Sequence, residues 1–276
     1  MGALPNARTY FLNITSINSR CVMTAEIFRL PLGWNDCYLI REKGTIMIDA
    51  GGKNKTRALK KALKDIGVNP KTIGLIVITH GHPDHITSAK DLKDLTGAKI
   101  AMHHLDKACL EKGERKNTQK QKTTKGSSWR WFFSKTRALF NAMLNREIPT
   151  CEVEVTVEDD GLSLKEYGVS GRIIHTPGHT SGSVSVVLYS GEAFVGDLAM
   201  NKFPLRMGTA YRAAEDTAAM RESLRHLLKL NVTTIYPGHG KPFPVKTIRR
   251  ALGPNLPNIE AEKSGPSRFE ARHHGL

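Results

Sequence analysis

At 276 residues the chain can bury a full core, and one layered domain is the better expectation than two. Its 41 Lys and Arg against 26 Asp and Glu give a net charge of +15, a field that favours anionic substrates, nucleic acid or acidic surfaces. No apolar run reaches the roughly 18 residues of a membrane span, no basic segment followed by a long apolar one opens the chain, and Cys21, Cys37, Cys109 and Cys151 include no C-x-x-C pair. These features argue against a membrane protein and a disulfide scaffold, and lead us to expect a protein of the cytoplasm.

In chain order, residues 1–25 carry weak periodicity and no motif, and are expected to be an extension ahead of a main domain over 26–250. Glu26 to Leu30 is the first convincing strand. Cys37 to Arg41 and Thr45 to Asp49 follow as short strands joined by Lys43-Gly44, which suits a tight hairpin. Asp49 either caps that strand end or orients a neighbouring group through its carboxylate. From Asn54 the period changes: Leu59, Ala62, Leu63 and Ile66 share one helical face while Lys55, Lys60, Lys61 and Lys64 fall elsewhere, until Gly67 ends the helix. Ile73 to Ile78 then reads as a buried strand, and Thr79-His80-Gly81-His82-Pro83-Asp84-His85 leaves it directly.

A helix is expected from Ile86 to Leu95, a turn at Gly97-Ala98 and a strand from Lys99 to Met102. An insertion of about 107–148 comes next. Lys107, Lys112, Arg115, Lys116, Lys120, Lys122 and Lys125 crowd its first part, so much of the excess charge is local to a basic loop, either a solvated insertion or a surface for anions. Trp129, Phe132, Phe133, Phe140 and Met143 recur at helical spacing and would pack on the core, wall a pocket for an apolar group, or make a homodimer contact. Beyond it, Val153 to Val157, Arg172 to His175, Ser183 to Tyr189 and Ala193 to Val195 are expected strands, Ala213 to Leu230 a helix with Ala213, Met220, Leu224, Leu227 and Leu228 inward, and Thr233 to Tyr236 a last strand. Residues 251–276, rich in Gly and Pro, read as a tail.

Three imidazoles and a carboxylate within six residues at a strand exit are costly to bury without a partner, and a divalent metal is the partner that satisfies them. H-x-H-x-D-H after a strand and Thr resembles the signature of the metallo-β-lactamase fold superfamily, in its glyoxalase II-like and lactonase-like branch. The later positions of that pattern are present: His179 in Pro177-Gly178-His179-Thr180, Asp197 in Val195-Gly196-Asp197 and His239 in Tyr236-Pro237-Gly238-His239. The resemblance spans about Glu26 to Pro244.

The resemblance implies an α/β fold, a four-layer α-β-β-α sandwich with every metal loop on one edge; strands, helix, strand and a histidine-bearing loop indeed occur twice, around His80 and around His239. It further implies that His80, His82 and His179 hold one ion, that Asp84, His85 and His239 hold the second, and that Asp197 bridges them. The donors suit zinc and also admit iron or manganese. Such a pair lowers the pKa of a shared water toward 7, so a bridging hydroxide is the expected nucleophile, with Asp84 orienting it and carrying its proton. Asp49 lies near the position of an acid that would orient His239 or the His80 loop. His103 and His104 are expected at the surface or behind the ligands.

The expected reaction is hydrolysis of an ester-like bond in a small molecule, a lactone or a thioester, with side activity on β-lactams. The related lactonases place Tyr three residues after the bridging Asp, where this chain has Met200, so Lys202, Arg206 or Tyr211 would have to supply a polar substrate contact. The +15 charge keeps a phosphodiesterase or nuclease as the alternative, with nucleic acid as partner. Only 41 residues separate Asp197 from His239, too few for the large insert of RNA-processing relatives.

Overall fold

The computed structural model describes residues 8–10, 25–32, 34–114, 148–201 and 214–252. Two mixed sheets stack face to face. The first has seven strands in chain order: β1 (Arg8–Tyr10), β2 (Glu26–Pro31), β3 (Asp36–Arg41), β4 (Thr45–Ile48), β5 (Ile73–Val77), β6 (Lys99–His103) and β7 (Val155–Val157). β1 to β4 pair antiparallel and β4 to β7 parallel. The second sheet runs β13 (Phe243–Pro244), β12 (Thr234–Pro237), β11 (Glu192–Gly196), β10 (Val184–Leu188), β9 (Gly171–His175) and β8 (Leu162–Ser163), with β11 and β12 parallel.

The strands are apolar on both faces because each sheet is covered twice. Between the sheets, Tyr38, Ile40, Ile46, Ile48 and Val77 of the first pack with Val186, Phe194 and Tyr236 of the second. The outer face of the first sheet carries α1 (Thr56–Asp65), α2 (Pro83–Ile86), α3 (Ala89–Thr96) and α4 (Lys107–Glu111), which bury Leu59, Leu63 and Leu92. The outer face of the second carries α5 (Thr217–Lys229) and α6 (Lys246–Leu252), which bury Met220, Leu224, Leu227 and Ile248. The four layers are those expected, and the buried face of α1 is the one that the spacing indicated; α5 buries Met220, Leu224, Leu227 and Leu228 as expected but begins at Thr217 rather than Ala213, which lies outside the described residues.

Three local expectations change. Arg8–Tyr10, inside the segment taken as an extension, pairs antiparallel with β2, Thr9 opposite Phe28. The single helix expected from Ile86 is two, because the chain is tied back at Thr87-Ser88. Ser88 N–H bonds to Gly51 O at 3.2 Å, and its hydroxyl donates to Gly52 O at 2.6 Å, so one helical path cannot run through. The basic stretch opens as helix, α4; from residue 115 to residue 147 it lies, with the aromatic stripe, outside the described residues.

Parallel strands all run off at one edge, so the loops after β4, β5, β6, β11 and β12, with the β9–β10 loop, collect there. This is how residues from both sheets come to share a site.

Candidate metal centre

The loop after β5 is fixed before any ligand is considered. Asp49, just past β4, is buried in a left-handed backbone conformation (φ 59°). Its Oδ1 accepts the Thr79 N–H at 2.8 Å, its carboxylate accepts the Thr79 hydroxyl at 3.0 Å, and its Oδ2 lies 2.8 Å from His85 Nδ1. Asp49 thus orients the His80 loop and His85. It does not reach His239, whose Nδ1 is 2.8 Å from the Trp34 carbonyl oxygen.

These partners set the tautomers. His85 and His239 each turn Nδ1–H to an oxygen acceptor, which leaves Nε2 facing inward. His80 can do likewise through Thr79 Oγ1, 3.1 Å from its Nδ1, because that hydroxyl donates onward to Asp49.

The inward nitrogens form two groups. In the first, His82 Nδ1 is 3.1 Å from His80 Nε2 and 2.9 Å from His179 Nε2. With all three nitrogens presenting lone pairs, they would repel at that spacing unless a cation stood at their focus. In the second, Asp84 Oδ2 is 3.2 Å from His239 Nε2 and 3.6 Å from His85 Nε2. Asp197 belongs to both: its Oδ2 is 3.4 Å from His179 Nε2 and 4.0 Å from His80 Nε2, while its Oδ1 is 3.3 Å from His239 Nε2 and 3.4 Å from His85 Nε2. One donor atom each from His80, His82, His179 and Asp197, and one each from Asp84, His85 and His239, lie close enough to hold a metal ion. Asp197 Oδ1 and His85 Nε2 are buried without a hydrogen bond among the described residues, an expensive arrangement that two cations would resolve.

Charge divides the same way. Burial holds His80, His82 and His179 below their ordinary pKa, His179 at about 4, so these rings are neutral donors. Burial works against charge on His239 too, but Asp197 and Asp84 outweigh it and raise the ring to about 10; Asp49, Asp84 and Asp197 raise His85 likewise. Burial would raise Asp84, yet the His85 and His239 imidazoles hold it at about 2. Anions and cations of the second group neutralise one another, and a divalent ion would take the place of the two ring protons.

Backbone position depends on close approach. A Cβ on Gly238 would stand 2.8 Å from both Asp197 Oδ1 and His85 Cε1, and one on Gly178 (φ 132°) only 2.3 Å from the Met220 nitrogen of α5.

Sequence reading did not identify Asp106. From the corner between β6 and α4, its buried carboxylate accepts Gly81 N–H at 2.7 Å, the Thr180 hydroxyl at 2.7 Å and Gly182 N–H at 3.0 Å. It joins the His80–His82 loop to the His179 loop. Trp34 and Asn35 were also unmarked: the Asn35 amide donates to Asp84 O at 2.7 Å, and the half-exposed Trp34 ring lies 5.9 Å from that of His239. A polar residue just ahead of a strand is a weak hint, and nothing local marks Asp106. Lys202, Arg206 and Tyr211 lie outside the described residues. His103, expected at the surface or behind the ligands, is fully buried, its ring between those of His175 and His104.

Two stacked sheets between helices, with histidine and aspartate donors converging at their shared edge, define a metallohydrolase sandwich. The family model of the metallo-beta-lactamase superfamily matches residues 33–239, and the chain belongs to that superfamily. A probable metallo-hydrolase of Methanocaldococcus jannaschii is 28% identical over 214 residues, 75% of this chain and 88% of that protein. A hydroxyacylglutathione hydrolase of Cereibacter sphaeroides is 28% identical over 242 residues, 86% of this chain and 75% of that protein. Among solved structures, a metallo-beta-lactamase family protein of Thermus thermophilus superposes with a TM-score of 0.58 at 20% identity, covering 82% of this chain and 78% of the other. The chain is a metal-dependent hydrolase.

Proposed function

We propose that this hydrolase uses two divalent ions to cleave an ester-like carbonyl bond, a thioester or a lactone, in a small molecule. The observation that carries the reading is Asp197, whose two oxygens face two separate donor groups. Bound ions, zinc by the donor set, with iron or manganese also compatible, would supply a water acidic enough to ionise near pH 7 and a pull on the substrate carbonyl oxygen.

His80, His82 and His179 would hold one ion, Asp84, His85 and His239 the other, and Asp197 would give an oxygen to each. Asp84 is partly open to solvent, with 35% of its side chain exposed. From there its carboxylate can take the proton of the attacking water and return it to the leaving group. Asp49 and the Trp34 carbonyl keep His85 and His239 in the tautomer that presents Nε2. The Trp34 ring offers an apolar surface beside His239 for the acyl part of a substrate. The likeness to a hydroxyacylglutathione hydrolase over most of the chain supports the carbonyl class, with thioesters first.

A panel of S-lactoylglutathione, a lactone, a cephalosporin and bis-p-nitrophenyl phosphate on metal-loaded protein tests this. Turnover of the thioester or lactone is expected to dominate; preferential phosphodiester cleavage would sink the reading. Asp84→Ala should lower kcat by about 100-fold or more, the range for a lost proton carrier, with an unchanged circular dichroism spectrum.

A further inference from the structure

One strand over from β5, β6 and β7 lie parallel with His103 opposite Val157, and both run off the same edge into residues of ligand type. β6 ends in His103-His104 and β7 leads into Glu158-Asp159; the His104 N–H bonds to Val157 O at 3.1 Å and keeps the two exits side by side. The ring of His103 lies 4.0 Å from that of His175 at 17°, and 4.4 Å from that of His104 at 31°. His103 Nε2, buried and without a hydrogen bond among the described residues, is 3.2 Å from Asp159 Oδ1. Donor atoms of His103, His104 and Asp159 fall within 4.8 Å of one another.

We propose that His103, His104 and Asp159 form a further binding site for a divalent transition cation, separate from the seven-residue centre. Two imidazoles and a carboxylate suit zinc, nickel, cobalt or copper, and suit magnesium or calcium poorly. Further donors are at hand: His175 Nδ1 lies 3.4 Å from Asp159 Oδ1, with its Nε2 turned away to Ser181 O, and Glu158 Oε2 lies 2.9 Å from His104 Nδ1. Burial and the adjacent His175 and His104 hold His103 at about 4, so the ring is in its neutral, ligating form near pH 7. Ligation through Nε2 places the ring proton on Nδ1 and gives up the 3.3 Å contact from Leu105 N–H; the metal bond must outweigh that loss. The solvent side is open, because Asp159 is 73% exposed and His104 37%. A cation here would brace the turn that presents Asp106 to both metal loops.

Elemental analysis of protein saturated with zinc and freed of excess by gel filtration tests the site. The wild-type chain should retain one more ion than the H104A/D159A variant, whose changes fall on exposed or half-exposed side chains and whose fold circular dichroism checks. An H80A/H239A variant, which disables the seven-residue centre, should still retain one. Equal zinc content in the wild type and H104A/D159A overturns the proposal, as does an H80A/H239A protein that folds but holds no zinc. Loss of zinc from H80A/H239A beyond that single ion bears on the proposed dinuclear centre alone, so the two readings fail separately.

Discussion

Asp106 shows what the centre requires of a residue that touches no donor atom. Its carboxylate replaces water for three donors, two on one metal loop's flank and one between His80 and His82. Hydrogen bonds to a charged acceptor contribute roughly 1.5–3 kcal/mol each, and leaving buried donors unpaired costs a similar amount. Asp106→Ala should therefore lower unfolding stability by roughly 3 kcal/mol or more in urea and weaken zinc binding; a variant with full stability and full zinc content would remove the residue from this role. The seven candidate donors were legible because each sits in a short motif that contains Gly or Pro. Asp106 and the Trp34 carbonyl were not, because their roles arise from contacts 25 to 205 positions apart in the chain. Asp49 was found, but its partner His85 could not be chosen over His239 until the sheets were stacked.

Among elements, α5 has the clearest link to the site. Asp216 caps it, accepting the N–H groups of Ala218 and Ala219 at 2.8 and 3.0 Å, and the Asp216 N–H bonds to Gly178 O beside His179. The helix start is thus pinned to the His179 loop. Asp216→Ala should cost about 1 kcal/mol, the usual worth of such a cap, read as a lower denaturation midpoint with an unchanged m-value. Helix and strand faces were legible wherever the apolar period ran long, as in α1 and α5. The break between α2 and α3 was not, because Ser88 takes its partners from Gly51 and Gly52, which no local pattern connects to it. β1 escaped notice for a simpler reason: three residues are too short to show a period.

For the whole molecule, the first sheet supplies His80, His82, Asp84 and His85, and the second supplies His179, Asp197 and His239. Bound ions would tie the two sheets across their shared edge, in addition to the apolar layer and the Tyr38 hydroxyl, which donates to Pro237 O at 2.7 Å. Binding at 100 times the dissociation constant stabilises a folded protein by about 2.7 kcal/mol per site. Chelation should then lower Tm by roughly 5 °C or more, reversed by zinc, given about 2–4 °C per kcal/mol at this size. An identical melting curve with and without chelator would contradict a metal held between the sheets. The layered architecture itself was legible from the repeated order of strands, helix and histidine loop, since each half needs the other to bury its sheet.

The divided loyalty of Asp197 has a thermodynamic consequence. If Asp197 gives one oxygen to each of two ions, the first to arrive would fix the side-chain torsion that the second requires, so the entropy of holding that carboxylate would be lost once rather than twice, while repulsion between the cations would act in the opposite sense. Linkage makes the resulting coupling reciprocal: each ion alters its neighbour's affinity by one and the same factor. Native mass spectra of the H104A/D159A chain, which keeps only the seven-residue centre, should at half-saturating zinc depart from a statistical mixture of empty, singly and doubly loaded chains, and Asp197→Ala should change the size of that departure.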